Sequence, residues 1–406
     1  MDNNRILNLK EQFVKIFGRE AEKIVISPGR AEIIGNHTDY NNGYALAAAI
    51  ENTFVFLSAK RTDNKISACS TSFDNKVISF EIAKDITPDA DNSWNNYLRG
   101  VVSELLKHNF ELESCDIMID SNVPLSGGVS SSAALELGVA YTVLPKQNIK
   151  DDINFKTKIA RICQLAENNY INSPCGFLDQ GAVALGDENK MVFLDFMPKG
   201  DMPVSDVAQV PADLGDYEFI LSVDPSVKRQ LGLSGYPARR KMCEESLPIW
   251  SDLLQKKISS LRDVTVSDFN KYKDFFENKD PVMRKRIEHV IFENERVLKA
   301  KEALKKGDIQ AFGKLLTESG KSALELYELD EKTPELTYLL HESLKQKGVI
   351  GSRNMGGGFS AIIISLVEKA EVENFKKGLS AIYEGKFGVP LEFIKFKAAK
   401  GIHILH

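Results

Sequence analysis

The sequence predicts a two-domain α+β protein, on three observations. Its 406 residues suffice for roughly two to three domains at about 150 residues each. Stretches with strand-like and helix-like apolar spacing occur in both halves, in different proportions. A Pro- and Gly-containing stretch between them, PKGDMPVSDVAQVPADLG at 198–215, reads as a linker and divides the chain into 1–197 and 198–406. With 43 % hydrophobic and 27 % charged residues, 14 prolines and 27 glycines, the composition excludes disorder, collagen and coiled coil as descriptions of the whole chain.

Residues 6–17 carry apolar side chains near helical spacing and predict a helix, and 23–27 predict a strand that Pro28-Gly29 punctuates. Residues 44–60, 65–70 and 76–82 read as strands separated by polar breaks, so the first quarter is β-rich. A helix is predicted over 96–108 and a buried strand, CDIMID, over 115–120. Amphipathic helices follow at 132–144 and 155–170, and a strand at 191–196. In the second half, strands are predicted at 217–223 and 361–367, and helices at 239–256, 282–305 and 309–322. No repeat or low-complexity segment is visible.

Charge and cysteine usage narrow the function classes. The 52 basic and 57 acidic residues leave a formal net charge of -5, which supplies no general pull toward nucleic acid or anionic lipid. Five cysteines (Cys69, Cys115, Cys163, Cys175, Cys243) are scattered and form no C-x-x-C pair, which argues against a disulfide framework or a cysteine-rich zinc site. The opening MDNNRILNLKEQF has no cationic region followed by an apolar one, and no stretch approaches the ~18 apolar residues of a membrane span. A soluble, cytoplasmic monomer with no nucleic-acid or membrane partner is expected.

Three loops carry candidate chemistry. In SPGRAEIIGNHTDYNNG, residues 27–43, Arg30, Asn36, His37, Asp39 and Tyr40 crowd between two strands. A sugar needs paired donors and acceptors, and a carboxylate such as Asp39 can accept from two neighbouring hydroxyls; the same residues read equally as an Asx- and Gly-rich turn. In VPLSGGVSSSAALELG, residues 123–138, two glycines precede a helix whose first turn is serine-rich. The free N–H groups of a helix start, with the macrodipole behind them, cradle phosphate, and serine hydroxyls can cap the helix or ligate a metal held by that phosphate. This is neither a P-loop nor G-x-G-x-x-G. In NMGGGFSAIIISLV, residues 354–367, three glycines enter an apolar strand, which serves structure as readily as nucleotide packing. Two acids complete the set. Glu167 is placed on the polar side of its helix, and Asp179 in the loop-like SPCGFLDQG. One carboxylate near phosphates can hold magnesium, and another near a hydroxyl can act as its base.

Taken together and in this order, these segments resemble the galactokinases of the GHMP small-molecule kinase superfamily, over the chain from about Lys10 onward. The resemblance rests on GRAEIIGNHTDYNNG, GGVSSSAALE, CQLAENNYINSPCGFLDQ, GYPARRKMCEE and GSRNMGGGF. It implies a two-domain GHMP kinase fold with the active site in the interdomain cleft, and transfer of the ATP γ-phosphate to the C1 hydroxyl of galactose. It further implies Asp179 as the catalytic base, with Arg30 holding it ionised and stabilising transition-state charge. Ser126, Gly127, Gly128, Val129, Ser130, Ser131 and Ser132 would surround the ATP phosphates, and Trp94 would lie on the adenine side. Ser132 and Glu167 would hold Mg²⁺, while Asn36, His37, Asp39 and Tyr236 stand where the family contacts the sugar.

Three departures accompany the resemblance. Asn36 replaces the usual Glu facing the C6 hydroxyl, which deletes a charge and adds two donors. That position still suits galactose, admits the C6 carboxylate of galacturonate, or matters little for L-arabinose, which lacks C6; a kinase for one of these two or for N-acetylgalactosamine is the alternative sugar reading. Ser126 replaces a glycine of the phosphate loop, and Ser360-Ala361 replace two glycines after GGGF. A non-catalytic sugar and ATP sensor is the alternative of another class, and the intact serines 130–132 speak against it.

Overall fold

The computed structural model describes residues 3–90, 94–124, 128–173, 175–227, 235–330, 333–358 and 360–405. The chain opens with α1 (Asn3–Phe17), followed by β1 (Lys23–Ile34), β2 (Tyr44–Lys60), β3 (Lys65–Ser70) and β4 (Ile78–Glu81). Next come α2 (Asn95–Lys107), β5 (Cys115–Ser121), α3 (Ser131–Val143), α4 (Ile153–Asn169), α5 (Leu178–Leu185), β6 (Lys190–Asp195) and β7 (Asp206–Pro211). The second half comprises β8 (Tyr217–Val223), α6 (Tyr236–Leu254), α7 (Val266–Lys279), α8 (Pro281–Lys306), α9 (Ile309–Glu325), α10 (Pro334–Leu344), β9 (Val349–Asn354), β10 (Ile362–Glu368), α11 (Val372–Phe387), β11 (Glu392–Phe396) and β12 (His403–Ile404).

The first sheet runs β12-β1-β2-β5-β3-β4, with β6 on the other end of β2 and β7 on β6. Period-two alternation explains how it is covered on both faces. Val25, Phe54, Phe56, Ile117 and Ile119 point into one core with α2 to α5, whereas Ile26, Val55, Leu57 and Met118 point to the other side, where Ile6, Leu9 and Phe13 of α1 cover them. The second sheet, β11-β8-β10-β9, is antiparallel throughout. Phe219, Leu221, Ile362 and Ile364 on one of its faces continue the first core, and Ile220, Ile363 and Val367 on the other pack under the helices of the second half.

Three expectations change. Pro28-Gly29 does not end β1: the strand passes through it with a register shift, from Pro28 opposite Thr53 to Arg30 opposite Ala49. Gly29 is needed there, because a Cβ would lie 2.9 Å from the carbonyl oxygen of Val129. The stretch expected as a linker carries β7, which pairs with β6 along its whole length. The expected amphipathic helix α3 is instead buried from Ala133 to Val143 on every side. Among the described residues, no helix is long and apolar enough to cross a membrane.

Candidate active site

Arg30, on β1, is the centre of the site. The bulge at Pro28 brings its backbone N–H to the carbonyl of Val129 at 3.0 Å, so strand and Gly/Ser loop are tied before any side chain acts. The guanidinium donates through Nε to Asp179 Oδ1 at 2.8 Å and through a second nitrogen to the same oxygen at 2.7 Å, and it also holds the carbonyl of Gly128. Arg30 is only 2 % exposed, whereas the Asp179 side chain is 28 % exposed, so the cation is embedded and the carboxylate faces outward. Asp179 is not in a loop as expected but in the first turn of α5. An acid is favourable there, since the first-turn N–H groups lack intrahelical partners.

The hydroxyl of Ser130 donates to Asp179 Oδ2. Ser130 is the N-cap of α3, in the left-handed region at φ 54°, and makes no capping bond with its own side chain. Its hydroxyl thus serves Asp179, and the N-terminus of α3 is left as a set of donors beside that carboxylate. Gly128 has φ 59° and lies against Ile362 of β10, where a Cβ would come within 2.9 Å. Ser126 and Gly127 lie outside the described residues, as does the side chain of Tyr236, which opens α6.

Glu167 departs from its expected position on a polar helix face. It is buried, with Oε2 accepting from Gln180 Nε2 at 2.7 Å and from the Cys175 thiol at 3.4 Å, and Ser132 is near enough to favour its charged form. Gln180 Nε2 bridges to Glu136 Oε2 at 3.0 Å, on the first buried turn of α3. Burial first, and then the neighbouring charge of Asp179, raises the Glu167 carboxyl; burial and Glu167 raise Glu136. Neither Glu136 nor Gln180 figured among the sequence candidates. Trp94, at the start of α2, stacks on Phe73 with ring centroids 5.6 Å apart. Together with Tyr97, Ser131, Ser132 and Leu135 the two rings line a cavity of about 160 Å³ at the N-terminus of α3.

The loop between β1 and β2 carries the remaining candidates. His37, buried at φ 62°, bonds through Nδ1 to the Tyr40 hydroxyl at 2.9 Å, and that hydroxyl meets Tyr327 at 2.8 Å. Asp39 accepts from the backbone N–H of Tyr40 at 2.9 Å and lies so close to Gly176 that a Cβ there would sit 1.5 Å from Oδ2. Desolvation pushes its carboxyl up to about 7, helped by the negative charges of Glu32 and Asp179 and opposed by the Tyr40 N–H and by Arg240. Asp39, Arg240, Gly176 and Cys175 share a polar cavity of about 580 Å³. Asn36 is buried and turned into the protein, where Nδ2 donates to Glu32 and to the carbonyl of Gly356.

Helix α8 fixes this loop from the second half. Glu293 accepts from the N–H groups of Gly35 at 3.1 Å and Asn36 at 3.4 Å, and from Ser319 at 2.6 Å. One turn earlier, His289 Nε2 meets the carbonyl of Asn36 at 3.2 Å, and Nδ1 meets the Ser322 hydroxyl at 2.9 Å. A carbonyl only accepts, so Nε2 is the protonated nitrogen and Ser322 donates to Nδ1. Burial accordingly lowers His289 to about 4, and Arg296 with its neighbours holds Glu293 at about 2. Their i, i+4 spacing on a long helix was the available signal, but it says only that both share a face.

Known families match along the chain in the same order as these parts. Residues 11–60 match a galactokinase galactose-binding signature, 96–187 a GHMP kinase N-terminal domain and 300–385 a GHMP kinase C-terminal domain. The galactokinase of Clostridium tetani is 35 % identical over 404 residues, covering 99 % of this chain and 98 % of that protein. The chain belongs to the galactokinase family. A second galactokinase, from Thermotoga neapolitana, is also 35 % identical over 93 % of the chain and 99 % of its own length. The crystal structure of Lactococcus lactis galactokinase complexed with galactose superposes with a TM-score of 0.88 at 30 % identity, over 99 % of this chain and 100 % of that one. Methanococcus jannaschii mevalonate kinase, at 15 % identity and a TM-score of 0.59 over 93 % and 98 % of the two chains, shares the fold alone. The galactokinase signature thus spans β1, β2 and the loop that α8 anchors.

Proposed function

We propose that this protein transfers the γ-phosphate of ATP to the C1 hydroxyl of galactose, giving galactose 1-phosphate and ADP. The observation that carries the proposal is the Asp179 carboxylate, gripped by a buried Arg30 yet facing outward beside the N-terminus of α3. A hydroxyl presented to Asp179 Oδ2 replaces Ser130 as donor there, and its oxygen attacks the phosphorus as the proton passes to the carboxylate. Arg30 keeps Asp179 ionised before the transfer and offsets negative charge as it develops. The first-turn N–H groups of α3 receive the phosphates, and the Trp94 and Phe73 cavity receives the base.

Magnesium fits the same end of α3. The groups there are hard oxygens, the Ser132 hydroxyl and the Glu167 carboxylate near it. Among the described residues no group of three or more His, Cys, Asp or Glu could hold a metal ion, and the ion would be held by these two side chains together with the nucleotide phosphates. When bound, the ion supplies charge neutralisation of the β- and γ-phosphates. The sugar lies between Asp179 and Asp39, with the Asp39 carboxylate accepting from two ring hydroxyls. A cytoplasmic setting belongs to the same reading and is supported by five free cysteines, four of them buried.

The test is ADP release with ATP and Mg²⁺ across galactose, N-acetylgalactosamine, galacturonate, L-arabinose and glucose, with the position of phosphorylation determined. Galactose ahead and phosphorylated at C1 is the expected result. Asp179→Asn should lose at least about 1,000-fold in kcat while still binding ATP; near-normal turnover in that variant removes Asp179 as the base.

A further inference from the structure

Residue 36 was read from sequence as the position facing the sugar's C6 end, with its missing charge opening the site to a C6 carboxylate. The structure moves that charge elsewhere. Glu32 lies two residues beyond Arg30 on β1, and the pairing of residues 30, 31 and 32 with 49, 48 and 47 is regular, so Glu32 and Arg30 share one face of the strand. The Glu32 carboxylate accepts from Asn36 Nδ2 at 3.1 Å and from Arg353 on β9 at 3.0 Å. Arg353 is fully buried behind it and also donates to the carbonyl of Ile33 at 2.9 Å. Glu32 is tied to the site by geometry: it shares its strand face with Arg30, which grips Asp179, and it bonds Asn36 at the start of the loop that carries His37 and Asp39.

Asn36 is held on three sides. Besides Glu32, Nδ2 donates to the carbonyl of Gly356 at 2.6 Å, and Oδ1 accepts from Asn354 at 3.2 Å. Both amide hydrogens are used, and a carboxylate can only accept, so Glu32 fixes which way the amide points. The same cluster holds two buried polar atoms with no hydrogen-bond partner, Asn354 Oδ1 and Arg353 Nε. Buried groups of that kind call for a ligand or water.

We propose that Glu32 is the specificity-determining carboxylate for the C6 end of the sugar, and that Asn36 is a positioning residue acting through it. This rests on the sugar-kinase reading above and deepens it. A neutral C6 hydroxyl is accepted beside Glu32, and a C6 carboxylate is repelled even though residue 36 is uncharged. Asn36→Glu does not restore a missing contact but sets a second carboxylate against Glu32 and against the Gly356 carbonyl.

The experiment compares wild type, Glu32→Gln, Asn36→Glu and the exchanged pair Glu32→Asn/Asn36→Glu on galactose and galacturonate, with thermal melting and ATP binding as checks of folding. Asn36→Glu should lose at least about 10-fold in kcat/KM for galactose, and the exchanged pair should regain most of that loss, because one amide and one carboxylate face each other again. Glu32→Gln should raise the galacturonate-to-galactose ratio of kcat/KM by at least about 10-fold. Full activity in Asn36→Glu, or no recovery in a folded exchanged pair, overturns the coupling. An unchanged ratio in Glu32→Gln overturns the specificity role; if that variant does not fold, Glu32→Asn/Asn36→Gln, which leaves no carboxylate at either position, decides it by raising the same ratio or by leaving it unchanged. Failure of the wild type to phosphorylate any of the sugars overturns the kinase reading instead.

Discussion

On the proposed function, Asp39 should make sugar affinity pH-dependent in a range where an ordinary carboxylate would not. Its carboxyl is raised to about 7 by desolvation, with Glu32 and Asp179 adding negative charge nearby. To accept from two sugar hydroxyls Asp39 must be ionised, so below pH 7 a proton has to leave before galactose binds. With a pKa near 7 the apparent KM for galactose is multiplied by 1 plus ten to the power of 7 minus pH, which is about 11 at pH 6 and about 1.1 at pH 8. A roughly tenfold rise in galactose KM from pH 8 to pH 6 follows, with ATP KM flat over the same interval. Initial rates at saturating ATP from pH 5.5 to 8.5 measure it, and Asp39→Asn should abolish the trend while raising KM at every pH. A galactose KM that is constant between pH 6 and pH 8 would show that Asp39 is already ionised or does not bind the sugar, and the argument from its burial fails.

Gly176→Ala should raise galactose KM by at least about 10-fold and leave ATP KM alone, because the added Cβ would fall 1.5 Å from Asp39 Oδ2 and force that side chain aside; steady-state KM values for both substrates check it. Trp94→Ala removes the ring stacked on Phe73 and should raise ATP KM by about 10-fold with galactose KM unchanged, a pattern that a general loss of folding would not give. His289 is buried neutral with its pKa lowered to about 4, so the unfolded chain binds more protons between pH 4 and 6.5 and stability falls as pH drops through that window, by about 3 kcal/mol when the drop is complete. Urea denaturation at pH 7.5 and pH 5 should therefore show a smaller acid loss in His289→Gln than in wild type. Glu293, near 2, does not interfere until the pH is lower still.

What the sequence conveyed was set by how far apart the cooperating residues lie. The long run at 44–60 and the helices around it are local patterns, and they agree with β2 and its neighbours to within a few residues. Helix α5 was hidden because it has eight residues and Phe177 at its N-cap, without a polar start signal. β7 was hidden because it is short and ends in Pro211, which reads as loop. Buried Glu167 is satisfied by Gln180 of α5 and by Cys175, both outside its own helix, so the polarity of that helix pointed the wrong way. The Glu32, Arg353, His289 and Glu293 network joins residues more than 250 positions apart, and no spacing rule connects them. The catalytic-site candidates were legible as motifs, but their hydrogen-bond partners were not.

The pairing of β12 with β1 ties the last part of the chain to the first. On the edge of β1 away from β2, Val25 and Ile26 pair with Ile404 and His403, and Leu405 donates to the carbonyl of Ile24. A ribosome adding about 10 residues per second makes β1 on the order of half a minute before it makes β12. For that interval the nascent chain carries an open, apolar sheet edge of the kind that pairs indiscriminately with other strands. Completion of the first sheet therefore waits until residues 403–404 have been made, and until then the β1 edge relies on whatever else shields it.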